Sequence, residues 1–513
     1  MQDEWIPDEN EIFSWIEDVF SQGVRRPGYQ ADRWAEDFCA EQFRRFGLEN
    51  VRLEPARLIC WEPRSWLLRV LTESEVFEIP CFPLPYSAAT EEIELALVPY
   101  DAKSKSAVKG QAALEDVKLM QQVPTAPLTP THPLKPATII LGLMRRHPIK
   151  TAAIVCSVMR QHPLNFGGIL HALIRRLPAP MTRLFQKQSG LSAAERVIDS
   201  RGTFEGKNQV LPYPERLFWM MEPAIFSGAA AWIGVLTDYP GDGYEYYVPY
   251  DTVKREIPGV WIRGSDGARL HKMLAAGPVQ VRLRIDSVRK EITSYNVVGE
   301  LPGADDDWVV IGSHHDAPWA SAVVDASGVA LVLAQAAYWS KVPAAERPHR
   351  LVFLLNAGHM AGSAGLNAFI KAHKNELKRI ALEVHLEHAA RELIEKDGNL
   401  IPTGEPETRW FYTSQIPKLE RAVAKALRAE NLDRSLILPP DVFAPNPLTD
   451  ASSFFAHGVP LVNFETMPFY LFDPRDTLDK VDQAGLLPLT RAMIRIIEST
   501  AGVSAAQMRS GAS

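Results

Sequence analysis

Apolar positions in the C-terminal two-fifths of the chain fall into two alternating patterns. Short continuous runs at 308–312, 351–356, 380–386 and 461–464 predict buried strands, while stretches with helical spacing at 327–341, 363–373, 418–430 and 484–500 predict helices. Strands and helices in alternation imply an α/β layered domain with a mixed central sheet between helical layers. Upstream the pattern differs. Residues 12–46 have helical periodicity with an early Gly and Pro interruption, and 67–82 reads as extended. Runs at 230–236, 259–262 and 279–283 read as strands around a short helix at 267–276, which marks a β-rich module.

At 513 residues the chain exceeds what one core usually supports, so more than one domain is expected. The pattern divides it into 1–85, 86–290 and 291–513, with the β-rich module in the middle. Hydrophobic residues are 46% and charged residues 23%, which excludes a wholly disordered or fibrous chain. The net charge of −7 offers no overall attraction for nucleic acid. That charge is unevenly placed. Residues 117–191 hold ten Lys or Arg and no Asp or Glu, so the rest carries −7 minus 10, or −17. Within this Pro-rich stretch, Met144-Arg145-Arg146-His147-Pro148 and Met159-Arg160-Gln161-His162-Pro163 form a near repeat. It predicts short helices broken by proline, set into the middle module over 117–205. The basic segment 135–187 is either a folded insertion facing the acidic remainder or a surface for a membrane interface or a partner. No apolar run was expected to be long enough to cross a bilayer, and the start of the chain lacks the pattern of a secretory signal, so a cytoplasmic protein is expected. Cys39, Cys60, Cys81 and Cys156 are too far apart for a metal knuckle or redox pair and are expected as buried free thiols.

Candidate chemistry concentrates at the predicted strand ends, where open α/β sheets keep their sites. The strand Val309-Val310-Ile311-Gly312 runs into Ser313-His314-His315-Asp316, and Asp325 stands just ahead of Ser327-Gly328, where a helix begins. His359 follows the strand 351–356, and His385, Glu387 and His388 lie at the end of 380–386. By alternation His385 and Glu387 share one face of their strand. His315, His385 and His388 are each open between a structural role and a role in the site.

These residues, together with Asn296-Val297-Val298-Gly299-Glu300-Leu301-Pro302-Gly303, Asp325-Ala326-Ser327-Gly328, Gly458-Val459-Pro460 and Asp476-Thr477-Leu478-Asp479, resemble metallopeptidase family 28 (clan MH), which includes aminopeptidases, glutamate carboxypeptidase and glutaminyl cyclase. Gly23-Val24-Arg25-Arg26-Pro27-Gly28 is similar to the family's opening, and the middle module looks like a protease-associated domain. The resemblance implies a three-layer αβα zinc-peptidase fold. It also implies that His314, Asp325 and Glu387 are ligands of one metal and that Asp316 orients the histidine. The family's Glu-Glu pair, general base and then second-metal ligand, falls at His359-Met360, and its late histidine falls at Phe472. Both ligands private to a second metal are therefore replaced, which implies a mononuclear site. Zinc is the expected ion, with manganese and iron compatible with the same ligands. His359 occupies the position of the general base.

The function implied is a metal-dependent hydrolase acting on a peptide or a small amide. The alternative is an inactive peptidase-like scaffold that keeps the fold for binding. A homodimer is compatible with either.

Overall fold

The computed structural model describes residues 1–103, 108–124, 190–204, 206, 208–217, 219–444 and 446–511. The basic segment 135–187 and Cys156 lie outside the described residues. Cys39, Cys60 and Cys81 are buried free thiols, as expected.

The C-terminal region is an α/β sandwich whose central sheet is mixed. Strands Arg350–Asn356, Trp308–His314, Ile380–Leu386 and Leu461–Thr466 lie side by side and parallel. Strand Arg409–Thr413 then pairs antiparallel with Leu461–Thr466, and Ser435–Leu438 runs parallel to it beyond. Side chains alternate across this sheet. Val310, Val352 and Leu354 pack with Leu366, Phe369 and Ile370 of helix Ala364–Ala372. Their neighbours Val309, Ile311, Leu351 and Phe353 point the other way, into the core that contains helix Gly328–Lys341. Two-sided burial is why these strands read as continuous apolar runs rather than alternating ones.

Helix Gly328–Lys341 is apolar on all sides because sheet and helices cover it: twelve consecutive residues, Gly328 to Trp339, are buried. With the preceding turn it forms the one helical stretch among the described residues, Ala322–Lys341, long and apolar enough to cross a membrane. This corrects the expectation that no such run exists, and its complete burial identifies it as a core helix. Helices Glu9–Phe20 and Gln30–Arg45 pack on the same layer.

Two long strands, Glu49–Leu71 and Gln280–Leu301, pair antiparallel along their length. They run from the central sheet out to a second group of strands, where Ala112–Val117, Ala231–Leu236 and Gly259–Arg263 are parallel and helix Gly264–Ala276 covers one face. The strand Gln280–Leu301 passes unbroken through position 290/291. The sequence places a boundary there because the side-chain pattern changes, but the backbone ladder continues. The β-rich group also contributes aromatics to the main core: Tyr246 and Tyr250 lie 6.0 and 5.5 Å from the ring of Phe472.

Candidate metal centre

The C-terminal ends of the four parallel strands converge, and each delivers polar side chains into the same buried space. His314 ends its strand, Glu387 and His388 follow Leu386, Glu465 is next to last in its strand, and His359 lies in the turn after Asn356. All but His359 are essentially removed from solvent.

His314 is arranged as a ligand. Its Nδ1 lies 2.8 Å from the carbonyl oxygen of Asp316, which fixes the proton on Nδ1, while its Nε2 has no partner. Burial, then the neighbouring His359, pushes its pKa well below the ordinary value, so the imidazole is neutral. His388 repeats the arrangement. Its Nδ1 faces the Thr466 carbonyl at 3.3 Å, its Nε2 is unpartnered, and burial lowers its pKa to about 4. Its φ of 49° is strained for a residue with a Cβ, and both backbone groups hold it there. The N–H donates to Asp325 Oδ1 at 3.2 Å, and the carbonyl accepts from the Thr466 hydroxyl.

Asp325 completes the group. One ligand atom each from His314, Asp325 and His388 lie within 4.8 Å of one another. The Asp325 carboxylate accepts from Gly328 N at 3.2 Å and from the Ser313 hydroxyl, and burial followed by the charge of Glu387 raises its pKa well above the ordinary range. Its loop is pinned from both ends of the chain. Arg25 is fully buried and donates to the carbonyls of His315, Ala320 and Ser321, and Asp476 accepts from Val323 N and Val324 N at 2.8 and 2.9 Å. The opening and closing motifs seen in sequence thus share a job: they hold the Asp325 loop.

The other site residues take partners that the sequence does not show. Glu387 does not share the group of His314 and Asp325; it groups with His385 and Asp450, and with His388 and Glu465. Its Oε1 faces His385 Nε2 at 3.1 Å, and although burial opposes ionisation, that histidine's charge brings the carboxyl to about 2. His385 sits between Glu387 and Glu383, whose Oε1 is 2.8 Å from its Nδ1. Asp316 does not orient His314 through its carboxylate, which lies 3.9 Å from Nδ1. It accepts instead from the backbone N–H groups of His359 and Met360 at 3.0 and 2.7 Å, and so fixes the turn that carries His359. Its backbone carbonyl does the orienting.

His359 stacks on His314 with ring centroids 4.3 Å apart, and Tyr250 of the β-rich group lies 5.3 Å away over it. Its Nδ1 is 2.5 Å from Asp450 Oδ1. Burial lowers the imidazole pKa, but Asp450 outweighs burial and holds it at about 9; the same pairing keeps the buried Asp450 carboxyl well below its ordinary value. The Asp450 pairing favours the protonated form of His359, the residue that the resemblance places at the general-base position. His315 points away from this space: its Nδ1 is 3.0 Å from Asp32 Oδ1 and its Nε2 faces the Tyr295 carbonyl at 3.0 Å.

Sequence reasoning missed Asp450 and Glu465. Glu465 carries the same signal as His314, a polar residue at the end of an apolar strand, but the predicted strand 461–464 stops one residue short. Asp450 lies in a stretch, Asn446-Pro447-Leu448-Thr449-Asp450, with no periodicity to draw attention to it.

Residues 296–497 match the model of Peptidase family M28. Over 138 residues the chain is 35% identical to a protein of Aspergillus oryzae described as probable leucine aminopeptidase 2. That stretch is 26% of this chain, and it spans only 27% of the relative's length. Solved structures share the fold across nearly the whole chain. A peptidase M28 precursor from Shewanella amazonensis superposes with a TM-score of 0.63 at 19% identity, covering 95% of this chain and 92% of that one. An aminopeptidase from an Aneurinibacillus strain gives 0.58 at 18%, covering 99% and 95%. A zinc aminopeptidase from Bacillus subtilis gives 0.60 at 15%, covering 95% of each.

Proposed function

We propose that the protein, whose residues 296–497 match the model of Peptidase family M28, is a metal-dependent hydrolase of peptide or amide bonds, with one zinc ion held by His314, Asp325 and His388. The observation that carries this reading is the pair of buried, unpartnered Nε2 atoms on His314 and His388, each with its Nδ1 engaged by a carbonyl. A buried imidazole nitrogen without a partner is costly unless something binds it, and a carbonyl on the other nitrogen is the usual support for a metal-binding histidine. Two histidines, a carboxylate and an open position make a fitting zinc donor set. When bound, zinc supplies a water of lowered pKa and polarises a carbonyl.

The chain's own residues handle the remaining proton. His359, held through Nδ1 by Asp450 and through its backbone N–H by Asp316, keeps its Nε2–H free of these partners to donate to the leaving amine. Asp450 sets the orientation and stabilises the charged ring. Tyr250, stacked over His359 and Phe472, roofs the site from the β-rich group, which we read as a protease-associated-like insert whose role is to limit the size of the peptide or amide.

Elemental analysis of the purified protein, paired with hydrolysis of leucine p-nitroanilide and leucinamide, tests this. About one zinc per chain, lost together with activity in Asp325→Ala, is expected. A protein that binds no zinc after incubation with it, and cleaves neither compound, would overturn the proposal.

A further inference from the structure

The chain carries a net charge of −7, yet one exposed helix face is purely basic. Helix Pro417–Ala429 buries Leu419, Val423, Ala424, Ala426 and Leu427 against the sheet edge and helix Gln483–Glu498. Its exposed residues are Lys418, Arg421, Lys425, Arg428 and Ala429. Spacings of three and four put the four cations on one face. The acids nearby are engaged elsewhere. Glu420 is fully buried and pairs with Arg196, and Glu430, at the helix end, accepts from Arg495 at 2.7 Å. Arg428 donates to the Glu195 carbonyl at 3.1 Å, and among the described residues no carboxylate pairs with Lys418, Arg421 or Lys425. By contrast, helix Gln30–Arg45 carries both signs on its surface, with Arg44 paired to Glu41. Like charges one turn apart cost stability, a cost that an anionic partner removes.

The stretch outside the described residues rejoins the structure on this helix. Residues 125–189 carry nine Lys or Arg and no Asp or Glu. They lead into Gly190, whose N–H donates to Glu420 Oε2 at 2.5 Å and whose backbone lies so close to Pro417 that a Cβ would stand 2.4 Å from the Pro417 carbonyl oxygen. We propose that the face formed by Lys418, Arg421, Lys425 and Arg428 docks on a bilayer of anionic phospholipid. Charge complementarity requires an anionic occupant, and residues 125–189, of the same sign, are repelled from it. A cluster of about four or more Lys and Arg on an amphipathic helix suits an acidic leaflet. Nucleic acid fits less well, because Ala422 and Ala429 are all that this face adds to the cations, with no ring to stack a base and no amide to read one. The sequence joined to the first turn of the helix also holds the apolar runs Ile139-Ile140-Leu141 and Ala153-Ile154-Val155, which suit a headgroup–acyl boundary. None of the strand-end residues takes part, so the zinc reading and this one are tested separately.

Co-sedimentation of the full chain with sucrose-loaded vesicles tests the proposal. Vesicles of phosphatidylcholine containing about a third phosphatidylserine should carry the protein down at low salt, pure phosphatidylcholine should not, and about 0.5 M NaCl should release it. Replacing Lys418, Arg421, Lys425 and Arg428 together by Gln, which keeps helix propensity, should weaken binding by about tenfold or more with urea unfolding unchanged. The pair Arg421→Gln and Lys425→Gln, a milder change should the fourfold variant fail to fold, should weaken it by about fivefold. Equal sedimentation with both kinds of vesicle, or none with either, would overturn the proposal. Binding that survives both sets of substitutions would also overturn it, by placing the lipid contact elsewhere in the chain. Release of the vesicle-bound protein by an equal charge of duplex DNA would overturn it in favour of nucleic acid.

Discussion

His314 and His315 are neighbours in sequence, equally buried, and opposite in character. Backbone alternation sends His314 toward the strand-end cluster and His315 toward helix Gln30–Arg45, where Asp32 and Glu36 form a second buried group with it. His315 Nε2 faces the Tyr295 carbonyl, and its Nδ1 lies 3.0 Å from Asp32 Oδ1 as an ion pair rather than a directed hydrogen bond. Burial alone would lower its pKa, but Asp32 raises it to about 9, and the charged ring ties the N-terminal helix to the sheet. His314 has a carbonyl on one nitrogen and, on the other, no hydrogen bond but the Asp325 carboxylate at 3.8 Å, and burial keeps it neutral. Both groups answer the same geometric description, two carboxyl or imidazole neighbours around a histidine. What separates the latch from the metal centre is how closely a carboxylate faces the second nitrogen, 3.0 Å at His315 and 3.8 Å at His314.

The sharpest way to break this contrast is to remove a ligand from each side. Asp325→Ala should abolish bound zinc and with it activity, whereas Asp32→Ala should leave zinc near one per chain; zinc loss from the Asp32 variant would erase the distinction. The histidine and carboxylate at the end of strand Ile380–Leu386 separate in the same way. His388→Ala is expected to lose zinc, and Glu387→Gln to keep it, as elemental analysis would read. The opposite result would restore the ligand set implied by sequence resemblance.

Smaller effects refine the picture. Asp450→Asn should retain zinc yet lower kcat by about 10²- to 10⁴-fold, the usual range for a proton-transfer group that loses its partner. In the unaltered enzyme activity should fall as pH rises past about 9, where His359 loses its proton, and in the Asp450 variant that limb should move to lower pH. On the latch side, Asp32→Ala leaves His315 buried without its counter-charge and should cost about 3–5 kcal/mol in urea unfolding. The smallest effect is the pH dependence of that latch. The folded protein holds a His315 proton up to about pH 9 that the unfolded chain releases near 6.5. Its stabilisation is thus complete below about 6.5 and lost as pH rises through 9, a decline that His315→Gln should flatten.

Much of the catalytic half was legible because its strands are buried on both faces and its helices are long. The four parallel strands and the helices Gly328–Lys341, Ala364–Ala372, Pro417–Ala429 and Gln483–Glu498 appear within a few residues of their predicted ends. Strands Arg409–Thr413 and Ser435–Leu438 escaped because each is five residues or fewer and pairs with partners remote in sequence. The hairpin Arg391–Lys396 with Asn399–Pro406 is largely exposed and carries no apolar run to mark it.

By itself the sequence determined the layered α/β architecture, the strand-end location of the chemistry and the importance of His314 and Asp325, since hydrophobic periodicity and strand-to-loop order are local properties of the chain. Tertiary structure decided which hydrogen bonds the clustered histidines make, that His388 groups with His314 and Asp325, and that Asp450 pairs with His359. Those outcomes depend on hydrogen bonds between residues some 60 to 150 positions apart, such as His388 to Asp325 and Val323 to Asp476, and on burial that a linear pattern does not carry.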